Sequence, residues 1–233
     1  MFEIIVKMFR IRPRKIIIFS VIAISVVILM AKIIVPYCID RYKDYLILQL
    51  RQISDQYLKD NAFSEVSVQS VPNIVHYILF GINDIQFSHY LSVLSVLKNQ
   101  KPSLIYIHCD CDRLTGQYWE RAVRVADKLN TTLVVRRVVK PTEIFGHKLS
   151  TSYMNWHSSD ITRILVLKEF GGIYLDRDVY VIQPMDHLFK YELSLDFQES
   201  TLGNQVIVAR KDARFLHLWL QSYRFYFFWE WQV

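Results

Sequence analysis

The spacing of apolar residues changes along the chain, and each spacing predicts a different element. Between Ile16 and Val35 the apolar run is almost continuous, broken only by Ser20, Ser25 and Lys32. As a helix rising ~1.5 Å per residue, such a run matches the roughly 30 Å hydrocarbon core of a bilayer. Further on, Tyr42, Tyr45, Leu46, Leu50, Ile53, Tyr57 and Leu58 recur among charged residues, a helical spacing. From Val71 the pattern alternates. Strands are predicted at 74–80, 104–109, 132–139 and 173–175, and helices at 87–98, 116–129 and 157–170. Strands separated by helices of this length argue for βαβ units and a mostly parallel sheet. The expected class is therefore α/β, with ligands bound beyond the carboxyl ends of the strands.

Charge places the apolar run in context. Lys7, Arg10, Arg12, Arg14 and Lys15 precede it against Glu3 alone, whereas Asp40 and Asp44 offset Arg41 and Lys43 after it. The bias predicts a cytosolic tail over 1–15, an anchor over 16–35, a stem over 36–70 and a lumenal domain over 71–233. The run exceeds the roughly 7–15 apolar residues of a cleaved signal peptide, and Met30-Ala31-Lys32-Ile33 is a poor cleavage site. The stem helix packs on the membrane or the domain, or else pairs with a second copy to form a homodimer. Of the net charge of +6, residues 1–70 contribute ten Lys/Arg against six Asp/Glu. The basic balance is thus largely a feature of the tail and stem, and it does not point to nucleic acid.

The three cysteines make no disulfide framework. Cys38 falls at the membrane edge, Cys109 ends a buried strand and Cys111 opens a loop. They lack the further Cys or His ligands of a zinc site. Asn130-Thr131-Thr132 is the chain's only Asn-x-Ser/Thr sequon, which makes Asn130 a glycosylation acceptor if the domain is lumenal.

The richest stretch for chemistry is 157–182. A helix runs into Gly171-Gly172, and the short strand Ile173-Tyr174-Leu175 then delivers Asp176 and Asp178. On an extended segment these two carboxylates share a side and Arg177 faces the other way. Paired carboxylates at a strand end suit Mg²⁺ or Mn²⁺, and such an ion can neutralise a departing diphosphate. Asp110-Cys111-Asp112 repeats the spacing, but without a preceding helix and glycine pair it reads as a solvated loop. Asp160 and Arg163, three apart, share a helix face as a surface ion pair or as a ligand contact. His76 on the first strand reads as a core histidine or a functional one.

The order of these segments resembles the DXD-containing glycosyltransferases, which include Golgi mannosyltransferases and α-1,4-galactosyl- and N-acetylglucosaminyltransferases. The resemblance rests on Val71-Pro72-Asn73-Ile74-Val75-His76 through Gly81, on Ser159-Asp160-Ile161-Thr162-Arg163, on Phe170 through Val179, and on Leu202-Gly203-Asn204-Gln205-Val206 through Ala209. It implies a GT-A nucleotide-sugar-binding fold and a type II Golgi membrane enzyme. The donor would be a UDP- or GDP-linked sugar, the acceptor a glycan or glycolipid, and the cofactor Mn²⁺ or Mg²⁺, with transfer by retention. Carried onto this sequence, Asp176 and Asp178 are catalytic, with Asp178 the first choice as metal ligand. Asp160 and Arg163 contact donor-sugar and ribose hydroxyls, and Asn204 lies near the transferred sugar. Gly171 and Gly172 let the strand start close to the sugar, and His76 is counted with the donor-binding residues.

Two departures stand out. Leu79 occupies a position where the family often has an aromatic that stacks on the base, and the aromatic end Phe225 to Val233 is unlike the family's continuation. A catalytically inactive sugar-nucleotide-binding relative is the alternative reading. A phosphatase with an Asp-x-Asp nucleophile is disfavoured, because Val179-Tyr180 follows the pair in place of a small hydroxyl residue.

Overall fold

A computed structural model describes residues 13–60, 70–198 and 201–226; the side chains of 13–27, 50, 54, 57–60, 198 and 201 lie outside that description. The chain divides into two compact units, Met1–Gln52 and Ile53–Val233. One helix, α1 (Pro13–Asp60), supplies the described part of the first unit and continues into the second, with Pro36 inside it. The helical spacing read from Tyr42 to Leu58 is therefore realised. Among the described residues no helix is long and apolar enough to cross a membrane. Of the expected anchor, the side chains of 16–27 are outside the description, as are residues 1–12 of the expected tail and 61–69 of the stem. Where α1 is described in full it exposes apolar side chains, Leu29 at 59% and Ile33 at 61% among them.

The second unit is built on a six-stranded sheet. Its strands are β1 (Ile74–Leu79), β2 (Leu104–Cys109), β3 (Thr132–Arg137), β6 (Gly172–Leu175), β7 (Leu193–Gln198) and β8 (Thr201–Ala209), ordered β3-β2-β1-β6-β8-β7. A separate hairpin, β4 (Glu143–Ile144) with β5 (His147–Lys148), lies outside it. β1 pairs in parallel with both β2 and β6, and β2 with β3. β8 alone runs against its neighbours. The expectation of a mixed α/β domain with a mostly parallel sheet thus holds.

Alternation along the strands divides the core into two layers. Val75, Tyr77 and Leu79 of β1, Ile105 and Ile107 of β2, and Ile173 and Leu175 of β6 face one side. There they are covered by α2 (Phe87–Ser95) and α3 (Gln117–Lys128). Ile78, Phe80, Tyr174 and Ile207 face the other, under α4 (Met154–Phe170) and α5 (Arg214–Ser222). Burial of these large side chains, each worth ~1.5–3 kcal/mol, is what fixes strand register.

Chain order decides where a ligand can enter. From β1 the chain winds outward through β2 to β3, then returns to place β6 on β1's other side. The crossovers therefore part between β1 and β6, leaving a crevice beyond their carboxyl ends.

The cysteine reading needs correction. Cys109 and Cys111 are joined by a disulfide, with their Cα atoms 5.2 Å apart. The turn after β2 folds the chain back sharply enough to bring the sulfurs together, where an extended segment would hold them apart. Cys38 is free and exposed. Asn130 is exposed in the turn between α3 and β3, with φ of 54°.

Candidate functional site at the β1–β6 crevice

A cleft of about 590 Å³ opens at this crevice, between the ends of β1, β6 and β8 and the first turns of α4. It gathers Asp160, Arg163, Asp176, Asp178 and Asn204, which are spread over more than forty positions of sequence. The sequence reading had grouped these five residues, and the fold brings them together.

Arg163 is the hub. It is 4% exposed, and its guanidinium lies over the Tyr174 ring at 4.5 Å from the centroid. Nη1 donates to the Asn204 carbonyl at 2.6 Å and to Asn204 Oδ1 at 2.7 Å. Nη2 meets Asp160 Oδ1 at 2.9 Å and Asp176 Oδ1 at 3.3 Å, while Nε donates to the Ser159 carbonyl at 3.4 Å. Nε and Nη1 are thus hydrogen-bonded to protein, and Nη2 sits in ion-pair contact with two carboxylates. Arg163 fixes Asp160, Asp176 and Asn204 relative to one another.

Asp176 also accepts from the Tyr174 hydroxyl, again through Oδ1. Its Oδ2 has no protein partner among the described residues. Burial raises the pKa of Asp160 and of Asp176, against the opposing charge of Arg163. Asp178 is exposed and makes no hydrogen bond or ion pair among the described residues. Three carboxylate oxygens of the Asp176–Asp178 pair thus have nothing donating to them among the described residues.

The pair is not arranged as an extended strand would have it. β6 ends at Leu175, and Val179 N–H donates to the Asp176 carbonyl at 3.0 Å, closing a turn over 176–179. At this turn Arg177 lines the cleft beside the carboxylates and also borders, as its opposite facing predicts, the apolar pocket under α2 and α3 that holds His89.

Three expected donor-binding residues lie elsewhere. Gly171 and Gly172 sit at the amino end of β6, about four residues of ~3.3 Å each from Asp176. Their φ values are +68° and +108°, and a Cβ on Gly172 would stand 2.5 Å from the Ile74 carbonyl oxygen. They are glycines so that β6 can enter between β1 and β8. His76 is fully buried. Its Nε2–H donates to the Gly171 carbonyl at 2.9 Å, since a carbonyl only accepts, which leaves Nδ1 to accept from His108 Nε2–H at 3.0 Å. Burial holds His76 down at about 4, so it is a neutral core histidine that fastens the end of α4 to β1.

The second Asp-x-Asp is engaged by protein. Asp110 Oδ1 accepts from Gly81 N–H at 2.9 Å and Oδ2 lies 3.4 Å from Lys140 Nζ; Asp112 pairs with Arg137. Several cleft residues were not singled out from sequence. Tyr174 was findable, because period two places it on the side of Asp176. Tyr153, whose ring stacks on Trp156 at 5.4 Å, carries no such signal. Trp156 also borders the cleft, whereas the neighbouring His157 turns inward to Tyr226.

With this geometry in hand, comparison with known proteins is informative. The family described as the glycosyltransferase sugar-binding region containing a DXD motif matches residues 35–195, well over half of the chain. The chain belongs to that family. Asn204 lies beyond the matched span, so its place in the DXD cleft rests on its bonds to Arg163. Glucan organizing enzyme 1 of Cryptococcus neoformans var. grubii serotype A is 31% identical over 173 residues, covering 66% of this chain and 44% of that protein. The chain thus spans less than half the length of this curated relative. Among solved structures, the PaToxG glycosyltransferase is similar at 18% identity and a TM-score of 0.45, over 79% of this chain and 72% of that one. The galactosyltransferase LgtC, solved with donor and acceptor sugar analogues, gives 14% and 0.38, over 67% and 61%.

Proposed function

We propose that this DXD-family chain transfers a sugar from a UDP- or GDP-linked donor to a glycan or glycolipid acceptor, with a divalent cation held at Asp176 and Asp178. The observation that carries this reading is the set of unengaged carboxylate oxygens on Asp176 and Asp178 at the mouth of the β1–β6 crevice. These residues fit Mn²⁺ or Mg²⁺. Among the described residues no group of three or more His, Cys, Asp or Glu encloses an ion, and Mg²⁺-type sites commonly take one or two carboxylates and complete their shell from substrate phosphates and water. When bound, the ion supplies neutralising charge to the diphosphate as it departs.

The chain's own residues do the rest. Tyr174 and Arg163 hold Asp176 by one oxygen and leave the other toward the cleft. Asp160, half-buried beside them, presents its second oxygen to a ligand hydroxyl. In the transfer, the bond from the anomeric carbon to the diphosphate oxygen breaks and a bond to the acceptor oxygen forms, with the acceptor's proton passing to the departing phosphate. Because the acceptor must then enter on the face from which the diphosphate leaves, configuration is retained. The name of the fungal relative makes a glucan the first acceptor to try.

The apolar run at 16–35 and the basic residues before it support a type II placement in the Golgi membrane, domain in the lumen. Homodimerisation through α1 belongs to the same reading. The deciding experiment is a screen of UDP- and GDP-sugars for donor hydrolysis with Mn²⁺, by the full chain and by Asp178→Asn. Hydrolysis of one donor, lost in the variant, is expected. Equal hydrolysis by both proteins would place the chemistry elsewhere.

A further inference from the structure

Arg177 occupies the position between the two carboxylates, in the turn at 176–179, where it lines the cleft as well as the pocket beside His89 under α2 and α3. It is exposed and makes no hydrogen bond or ion pair among the described residues. Arg163, the other cation lining the cleft, is 4% exposed and already paired with Asp160 and Asp176 and bonded to Asn204. Of the two guanidiniums, that of Arg177 is the one without a protein partner among the described residues.

Charge shows what it is available for. The cleft is lined by three carboxylates, Asp160, Asp176 and Asp178, against two guanidiniums, one net negative charge. Such a cleft repels a diphosphate. A divalent ion turns the balance to one positive charge, but if Arg177 were neutral the same ion would bring it only to zero. Guanidinium forks also match phosphate oxygens in shape, donating two parallel N–H bonds.

Resting on the donor reading above, we propose that Arg177 binds the diphosphate of the nucleotide-sugar donor, acting beside the ion and not in place of it. This gives the middle residue of Asp-x-Asp a direct part in donor recognition. Arg177 contacts the ligand through phosphate oxygens alone, so it adds affinity for the diphosphate without distinguishing the base.

The test is calorimetric titration of the full chain with UDP and GDP, and with uridine and guanosine as probes lacking phosphate, in Mn²⁺ and again in EDTA. Wild type is compared with Arg177→Ala and Arg177→Lys. For the nucleotide that wild type binds, Arg177→Ala is expected to weaken affinity at least tenfold in both conditions. Binding of the matching nucleoside should be unchanged, and Arg177→Lys should recover part of the loss. Arg177 is exposed, so the melting temperature should stay within a degree or two of wild type. Nucleoside diphosphate binding as tight in Arg177→Ala as in wild type overturns the role of Arg177 and leaves the donor reading standing. A wild-type chain that is folded by circular dichroism yet binds neither UDP nor GDP overturns both.

Discussion

The two Asp-x-Asp copies stand at the carboxyl ends of β2 and β6, only one strand apart in the sheet. Their surroundings differ in one respect that matters. At Asp110 and Asp112 the carboxylates meet a backbone N–H, a lysine and an arginine. At Asp176 and Asp178 the donors converge on a single oxygen, Asp176 Oδ1, and leave the others to the cleft. The motif by itself says little. Which carboxylate oxygens remain unengaged, and into what space they point, separates a rim from a site.

The largest effect should come from the residue that creates this difference. Replacing Arg163 with Met removes the cation shared by Asp160 and Asp176, whose side chains are 14% and 28% exposed. Two carboxylates are then left close together with little solvent, and breaking such a buried network costs ~3–5 kcal/mol. Urea unfolding should show that loss, with activity lost as well. A change below 1 kcal/mol would mean that Arg163 does not organise the cleft.

Asp178→Asn follows. It keeps the size of the side chain and removes a charge that no protein group offsets, so stability should hold while transfer falls by roughly 10²–10³, equivalent to about 3–4 kcal/mol of transition-state stabilisation. Donor hydrolysis with and without EDTA measures it. Activity that survives both EDTA and Asp178→Asn would remove the metal from the proposal.

Much of this was legible in the sequence, and the failures have specific causes. Period-two and helical spacings located β1, β2, β3, α3 and the end of α4, because each buries one face against the sheet. The start of α4 was read three residues late, at 157 in place of 154. Its first turn carries Asn155 and Trp156 toward the cleft, so apolar periodicity begins only afterwards. β7 was missed although Leu193, Leu195 and Phe197 alternate with polar residues. The two-residue strands of the β4–β5 hairpin gave no pattern to read. Within the site, residue types were legible but roles were not. The engagement of Arg163 depended on Asn204, forty-one positions away.

The histidine behind the site gives a smaller, pH-dependent effect. His76 is held at about 4, chiefly by burial, and burial lowers His108 as well. As pH falls, the unfolded chain takes up a proton on each imidazole near 6.5, while folded His76 resists until about 4. Unfolding therefore binds protons across that window, and stability present above pH 6.5 declines through it. Between pH 7 and 4.5, His76 alone accounts for ~2–3 kcal/mol. His76→Asn should begin less stable at pH 7 and show a shallower decline. An unchanged slope would mean that His76 is protonated as readily in the folded chain as in the unfolded one.

The smallest effect expected is at Asp112, and it is the one that most directly tests the opening comparison. Its carboxylate is 82% exposed, and so is most of its partner, with the Arg137 side chain at 70%. A pair so open to solvent contributes ~0–1 kcal/mol, and less in salt. Asp112→Asn should leave the unfolding midpoint within about half a kcal/mol of wild type, with donor hydrolysis unchanged. Asp110 is a stricter control, because it caps Gly81 N–H at the end of β1; Asp110→Asn, which keeps an acceptor oxygen, should cost ~1 kcal/mol and still hydrolyse donor. If Asp112→Asn abolished hydrolysis while Asp178→Asn did not, the ion would sit at the end of β2, and unengaged oxygens would be the wrong criterion for telling the two copies apart.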